Sequence, residues 1–477
     1  MACLRPIAVL AATFACTALA AQDAAPTPRR VSTSLGMVTV LHDRPEAAAA
    51  KLTLWARYAE DHDAFADHRQ YLEDLQARYG ERGVTIAVLL PDEAAKALAA
   101  ASPRFVVGTH DNAVPTDAPA MLLLCRGTSD DLFAPAALDG VVDAFDRALA
   151  GDGTEQLTTD DQALQQLLAR VADGGPFGEL AKASLQAWPH SGRAHAAAVL
   201  CHWWCEGDLA AGRAAVDTGL EALANDAVPL TVFADLVLRG DRQDREIAKR
   251  IAVAIAPAAA AAPDGAFTQL VHLRALLRAG QDRLAGRLAA TLPKRLAGRA
   301  ADLLVFAETL MEADAPAPLR DAAIKAIAEA ERLDAGIPDK RWPWAARHKV
   351  LVRCGDTDAA AKLMEEYRAQ DVASFSLNND AWYLMVQPVS MGRFDTLALA
   401  QCEEMLRVEG AGIDYNSKDT TALACYLNGQ LERAIEMQTE VVKVARGTDT
   451  YAARLRRFEA TRDASKAAAA PKDTGRK

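Results

Sequence analysis

The sequence predicts a mixed α/β region followed by an all-α array, an α-helical-repeat solenoid. Three observations carry that expectation. Short apolar runs alternate with helically spaced segments from about residue 35 to 152. After Gly153 no strand-like run remains. Glycines then recur between helical segments, with spacings of 33, 40, 37 and 37 residues in the clearest cases. Strands alternating with helices imply a sheet covered by helices. Repeats of this length mark stacked helical hairpins.

The elements follow in order. Residues 1–20 read as a signal peptide: Arg5, an apolar run from Pro6 to Leu19, then Ala18-Leu19-Ala20 as a cleavage site. Thr13 and Phe14 argue against a lipid anchor on Cys16. The mature chain is therefore expected to be exported, periplasmic or secreted. Residues 21–34, rich in Ala, Pro, Thr and Ser, read as a linker. Lys51 to Tyr58 is a strand-like run. His62 to Tyr79 has helical spacing, with Phe65, Leu72, Leu75 and Tyr79 on its apolar face. Val84 to Leu90 is a continuous apolar run stopped by Pro91, as in a buried central strand. Asp92 to Ala101 reads as a short helix, Arg104 to Thr109 as a strand, Ala120 to Cys125 as a buried strand opened by Pro119, and Leu138 to Leu149 as a closing amphipathic helix.

From residue 153 to 461 the unit is a helix, a glycine and a second helix. It recurs around Gly207, Gly240, Gly280, Gly355, Gly392 and Gly429. Residues 462–477, rich in Ala and Lys, are expected to be disordered.

Composition narrows the function classes. The 477 residues carry a formal net charge of −11 without a basic stripe, which argues against nucleic-acid binding. No phosphate-cradling glycine loop, hydrolase elbow or zinc-protease motif occurs, and no cofactor or metal is expected. The best membrane candidate after residue 20, Ile251 to Pro263, is short and carries two prolines, so no integral membrane segment is expected in the mature chain.

Leu54 to Phe65, LWARYAEDHDAF, lies between a strand and a helix. It resembles the active turn of the exported TlpA-like branch of the thioredoxin (redoxin) superfamily, which reads W-A-x-W-C-x-x-C there. Trp55-Ala56-Arg57-Tyr58 fills the first four places, and the cysteine positions fall on Ala59 and His62. Glu81-Arg82-Gly83-Val84-Thr85 leads into the next strand as in that family, and Ala118-Pro119 matches its cis-proline motif. The resemblance covers residues 35–152 and implies a thioredoxin-like domain. No cysteine lies between Cys16 and Cys125, so this corner is expected to be redox-inactive. The resemblance further implies a retained binding groove at Trp55, Tyr58, His62 and Pro119.

The later helix pairs resemble tetratricopeptide repeats, in which an alanine follows the inter-helix glycine by five residues. Gly280/Ala285, Gly355/Ala360 and Gly429/Ala434 fit; Gly240/Arg245 and Gly392/Leu397 do not.

Other clusters stay open between two readings. Glu60, Asp61 and Asp63 cap a helix start, or His62, Asp63 and His68 bind a metal at loose spacing. Cys201, His202 and Cys205 are helix packing or a metal or redox site, with Trp203 and Trp204 plugging gaps between repeats. Trp342 and Trp344, flanking Pro343, pack repeats together or form a peptide hot spot. The expectation is an exported, non-catalytic scaffold binding proteins or peptides through its solenoid. The alternative is a thiol–disulfide oxidoreductase relying on Cys125 or on Cys201 and Cys205.

Overall fold

A computed structural model describes residues 29–33, 36–43, 49–58, 63–101, 103–110, 120–127, 130–240, 244–312, 317–333, 341–369, 374–410, 413–445 and 449–469. The expected signal peptide lies outside the described residues.

Among the described residues one sheet has the strands β1 (Arg29–Thr33), β2 (Gly36–His42), β3 (Leu52–Tyr58), β4 (Val84–Leu89), β5 (Val106–His110), β6 (Ala120–Arg126) and β7 (Asp130–Phe133). Their order is β1-β2-β5-β4-β3-β6-β7. β3, β4 and β5 are parallel, and the remaining pairs are antiparallel. The helices of this region are α1 (Asp63–Tyr79), α2 (Asp92–Ala100) and α3 (Val141–Ala150).

Every residue of β3 is buried, as its central place requires. Because side chains alternate across a strand, Leu52, Leu54, Ala56 and Tyr58 enter the main core. Trp55 enters a smaller cluster with Val38, Val40, Leu89, Leu123 and Cys125. The expected face of α1 is buried: Phe65, Leu72, Leu75 and Tyr79, joined by Tyr71. β1 lies inside the stretch expected to be a linker, because Arg29–Thr33 pairs with Gly36–Val40 as a hairpin at the sheet edge.

Then follow α4 (Thr154–Arg170), α5 (Gly178–Ala187), α6 (Gly192–Cys201), α7 (Leu209–Ala222), α8 (Ala227–Gly240), α9 (Arg245–Ala261) and α10 (Ala266–Arg278). Next come α11 (Asp282–Arg295), α12 (Ala300–Leu310), α13 (Ala317–Leu333), α14 (Arg341–Cys354) and α15 (Thr357–Arg368). The last are α16 (Ser374–Val386), α17 (Asp395–Glu409), α18 (Tyr415–Leu427), α19 (Leu431–Val444) and α20 (Asp449–Ala469). Among the described residues no helix is long and apolar enough to cross a membrane.

The helices form two layers. α6, α8, α10, α12 and α18 are buried along most of their length. α7, α11 and α19 bury only a narrow stripe, which suits an outer position. Five of the six repeat glycines, Gly207, Gly280, Gly355, Gly392 and Gly429, have φ between 71° and 79° or, for Gly280, 68°. That left-handed conformation ends one helix and lets the next turn back. Gly240 instead forms the last turn of α8. Ala285, Ala360 and Ala434 are buried, with 0%, 5% and 0% of their surface exposed. Arg274 ties three inner elements together: it donates to Asp235 of α8 at 2.6 Å and to Glu312, just beyond α12, at 2.8 Å.

The array closes on itself. The Arg457 guanidinium of α20 stacks 4.0 Å from the Trp204 ring and donates to the Gly240 carbonyl at 2.8 Å. Arg456 donates to the Glu206 carbonyl at 3.0 Å, and Arg454 to the Asp173 carbonyl at 3.0 Å. Arg239 of α8 donates to the Pro388 carbonyl. The stretch after Asp463, expected to be disordered, is helical to Ala469. Alanine extends an existing helix at the lowest cost, and the preceding turns of α20 are already held by packing.

One continuous buried cluster runs through the sheet region and the helices. The junction is also polar. Asp67 of α1 accepts from the backbone N–H of Phe267 at 3.1 Å and of Thr268 at 2.9 Å. It thereby caps α10, whose own N-cap, Gly265, offers no side chain. Asp139 accepts from Ser191 at 2.7 Å and from Arg193 at 2.7 Å, and Arg78 pairs with Asp226 at 2.5 Å.

Candidate functional site

The parallel strands β3, β4 and β5 end at the same edge of the sheet, where open α/β sheets place their ligands. Tyr58 at the end of β3 is paired with Ala120 at the start of β6. The chain therefore leaves for residues 59–62 and returns from residues 111–119 on one rung. Ala59, His62 and Pro119 themselves lie outside the described residues, as do Glu60 and Asp61.

The described side chains at this edge are Tyr58, Phe65 and His68. The Tyr58 hydroxyl and His68 Nδ1 share a hydrogen bond of 3.1 Å. The Tyr58 and Phe65 rings meet edge to face at 5.3 Å. Burial pushes the His68 pKa down to about 4 and the Tyr58 hydroxyl upward, so both are neutral at pH 7. Tyr58 and His68 are thus two neutral groups joined by a hydrogen bond. Trp55 and Tyr58 do not share a face, and each is buried, with 3% and 0% of its surface exposed. Cys125 is buried on the Trp55 side of the sheet.

A second candidate lies on the helices. α9 and α11 flank a groove of about 630 Å³ with α10 as its floor. Val253 and Leu284 stand on its rim, 71% and 48% exposed. Gln269, His272, Gln281 and Arg287 supply its polar groups. An apolar groove with a few polar groups suits an extended or helical peptide segment. Periodicity predicts the hairpins but not which of them leaves apolar side chains uncovered, so this groove is not readable from the repeat pattern.

The third candidate is the cysteine pair. The chain after α6 widens into a π turn over His202–Glu206, which ends at Gly207. Trp203 and Trp204 are both buried there, with 1% and 2% exposed. Trp203 packs where a side chain on Gly212 would otherwise lie, and Trp204 lies beneath Arg457. His202 pairs with Glu206 at 2.7 Å. Cys201 is buried, and the half-buried Cys205 donates its S–H to the Val171 carbonyl at 3.4 Å. Among the described residues no three His, Cys, Asp or Glu side chains gather as a metal-ligand set. Trp342 and Trp344 are engaged in packing: Arg393 stacks 4.6 Å from Trp342, and Trp344 lies 6.1 Å from Tyr367.

No family model and no curated protein matches the chain.

Proposed function

We propose that the chain is an exported, TlpA-like thioredoxin-fold protein without dithiol chemistry at its corner, whose tetratricopeptide-like helices serve as a scaffold for a protein or peptide. The observation that carries the binding reading is the groove between α9 and α11, with apolar rim residues exposed beside polar ones. Exposed Val and Leu at a concave site are the pattern of a docking surface.

The thioredoxin-like part of the reading is supported by the β3–α1–β4 unit with parallel strands, and by β6 lying antiparallel beside β3. The rung Tyr58–Ala120 joins the chain neighbours of Ala59 and Pro119. A corner with alanine and histidine in place of two thiols has no sulfur to attack a disulfide. The repeat reading is supported by the left-handed glycines and the buried alanines five residues beyond Gly280, Gly355 and Gly429.

Selection of peptides from a displayed library against the mature protein tests this. Selected peptides are expected to lose more than about tenfold in affinity on Val253→Glu with Leu284→Glu, at unchanged circular dichroism. In an insulin-reduction assay the protein is expected to add nothing to the rate with dithiothreitol. Insulin turnover, or peptide binding indifferent to both substitutions, overturns the reading.

A further inference from the structure

We propose that the groove between α9 and α11 takes an amphipathic helix of a partner protein, with apolar side chains against Val253 and Leu284 and an Asp or Glu side chain paired with Arg287. This rests on the scaffold reading and names the kind of segment that the scaffold binds.

The walls have the form that receives a helix. On α9, Ala252, Ala256 and Ala260 recur every fourth residue, and on α11 Leu284 and Leu288 do the same. Rows of that spacing are the ridges that pack into the grooves of another helix. Alanine keeps the α9 row low, so a partner backbone can come close. From the helical rise, the row from Ala252 to Ala260 runs for about 12 Å, or about two turns of a partner helix.

An extended peptide has a different need. Each of its residues brings a backbone N–H and a C=O that must find partners. Helices α9, α10 and α11 bond their own backbone groups internally, and among the described residues no strand borders the groove. Gln269, on the floor, already spends its amide N–H groups on the Ala259 and Ala262 carbonyls, at 2.6 and 2.9 Å. A docking helix needs none of these partners, because its backbone is satisfied before it arrives.

The charge of the groove selects the charge of its ligand. Arg287 is exposed on the α11 wall, and no Asp or Glu lines the groove. Arg213 and Arg250, on the neighbouring outer helices, are already paired with Asp244 and Asp217. Among the described residues Arg287 has no such carboxylate. Burial holds the His272 pKa below its usual value, so its imidazole is neutral at pH 7 and leaves Arg287 as the charge of the lining. On a chain of net charge −11 this is a local cationic spot between apolar walls. A carboxylate on the apolar face of an incoming helix complements it. A second copy of this chain would have to approach against like net charge.

The test uses the full chain and a displayed library of random peptides about four helical turns long. Enriched peptides are expected to share apolar residues at helical spacing and at least one Asp or Glu, and to exclude proline from their centre. Synthetic copies are then titrated against the parent and Arg287→Glu. Because Arg287 is exposed, the variant is expected to keep its fold, which circular dichroism checks. It is expected to bind about three- to tenfold more weakly, with the loss larger at low salt than at high. Replacing the peptide's Asp or Glu by Lys is expected to restore binding to Arg287→Glu and to weaken binding to the parent. Peptides that need Val253 and Leu284 yet are indifferent to Arg287→Glu, or that bind equally well with proline at their centre, overturn this inference and leave the scaffold reading standing. Peptides indifferent to Val253→Glu with Leu284→Glu, or no enrichment at all, overturn both. A parent chain that dimerises, and becomes monomeric with those two substitutions, also overturns the inference: the occupant is then a second copy.

Discussion

His348 on α14 is 3% exposed, and burial pushes its pKa down to about 4. An unfolded histidine titrates near 6.5. Between those values the unfolded chain binds a proton that the folded chain refuses, so stability is present above pH 6.5 and falls as pH drops toward 4. The loss from His348 is on the order of 3 kcal/mol when complete. His68 has its pKa lowered to about 4 by the same cause and acts in the same direction. Asp143 opposes them: burial raises its pKa to about 6, so its contribution grows as pH falls from 6 toward the ordinary carboxylate range. Urea midpoints at pH 7 and pH 4.5 are expected to differ less in His348→Gln than in the parent. Equal differences would mean that His348 takes up its proton as readily in the fold as in the unfolded chain.

At the scale of elements, α6 and α8 touch backbone to backbone. A Cβ on Gly192 would overlap the Pro229 carbonyl oxygen and come within 2.9 Å of the Phe233 nitrogen. Neither atom can move aside without shifting α8. Gly192→Ala is expected to cost at least about 2 kcal/mol. Gly286, in α11, has nothing within 4 Å of such a Cβ. Gly286→Ala is expected to gain up to about 1 kcal/mol, because alanine loses less backbone freedom in a helix. Denaturant titration of both variants checks the contrast. The same scale shows what the sequence allows to be read. β3, β4 and β6 are legible because buried central strands must be predominantly apolar. β1, β2 and β7 are not: the edge strands RRVST and DDLF carry no alternation strong enough to announce them, and β2, interior between β1 and β5, is a short mixed run, GMVTVLH. The glycine turns are legible because only a left-handed residue reverses the chain there. The π turn is not, because its cause is tertiary: two adjacent tryptophans must both be buried, against α7 and α20. The passage from β3 to α1 is legible as an apolar run followed by helical spacing, while the corner residues 59–62 lie outside the described residues. The rim of the α9–α11 groove comes from residues about thirty apart in the chain, Val253 and Leu284, and is not legible.

For the molecule as a whole, α20 completes the core. Tyr426 and Phe458 stack at 4.4 Å, and Arg457, 1% exposed, bridges Tyr426, Trp204 and Gly240. Removing residues 449–477 is expected to lower the thermal midpoint and to split one transition into two, with tryptophan fluorescence changing before far-UV circular dichroism. Coincident transitions at an unchanged midpoint would show that α20 is dispensable. The closure also sets an order of events in the cell. A chain made or threaded from its amino end presents Trp204 hundreds of residues before its cover exists. Contacts so distant in sequence form late. The first hairpins must therefore wait, with an aromatic surface bare, until the final helix emerges; a holding chaperone that recognises such surfaces meets this polypeptide early and releases it only near completion.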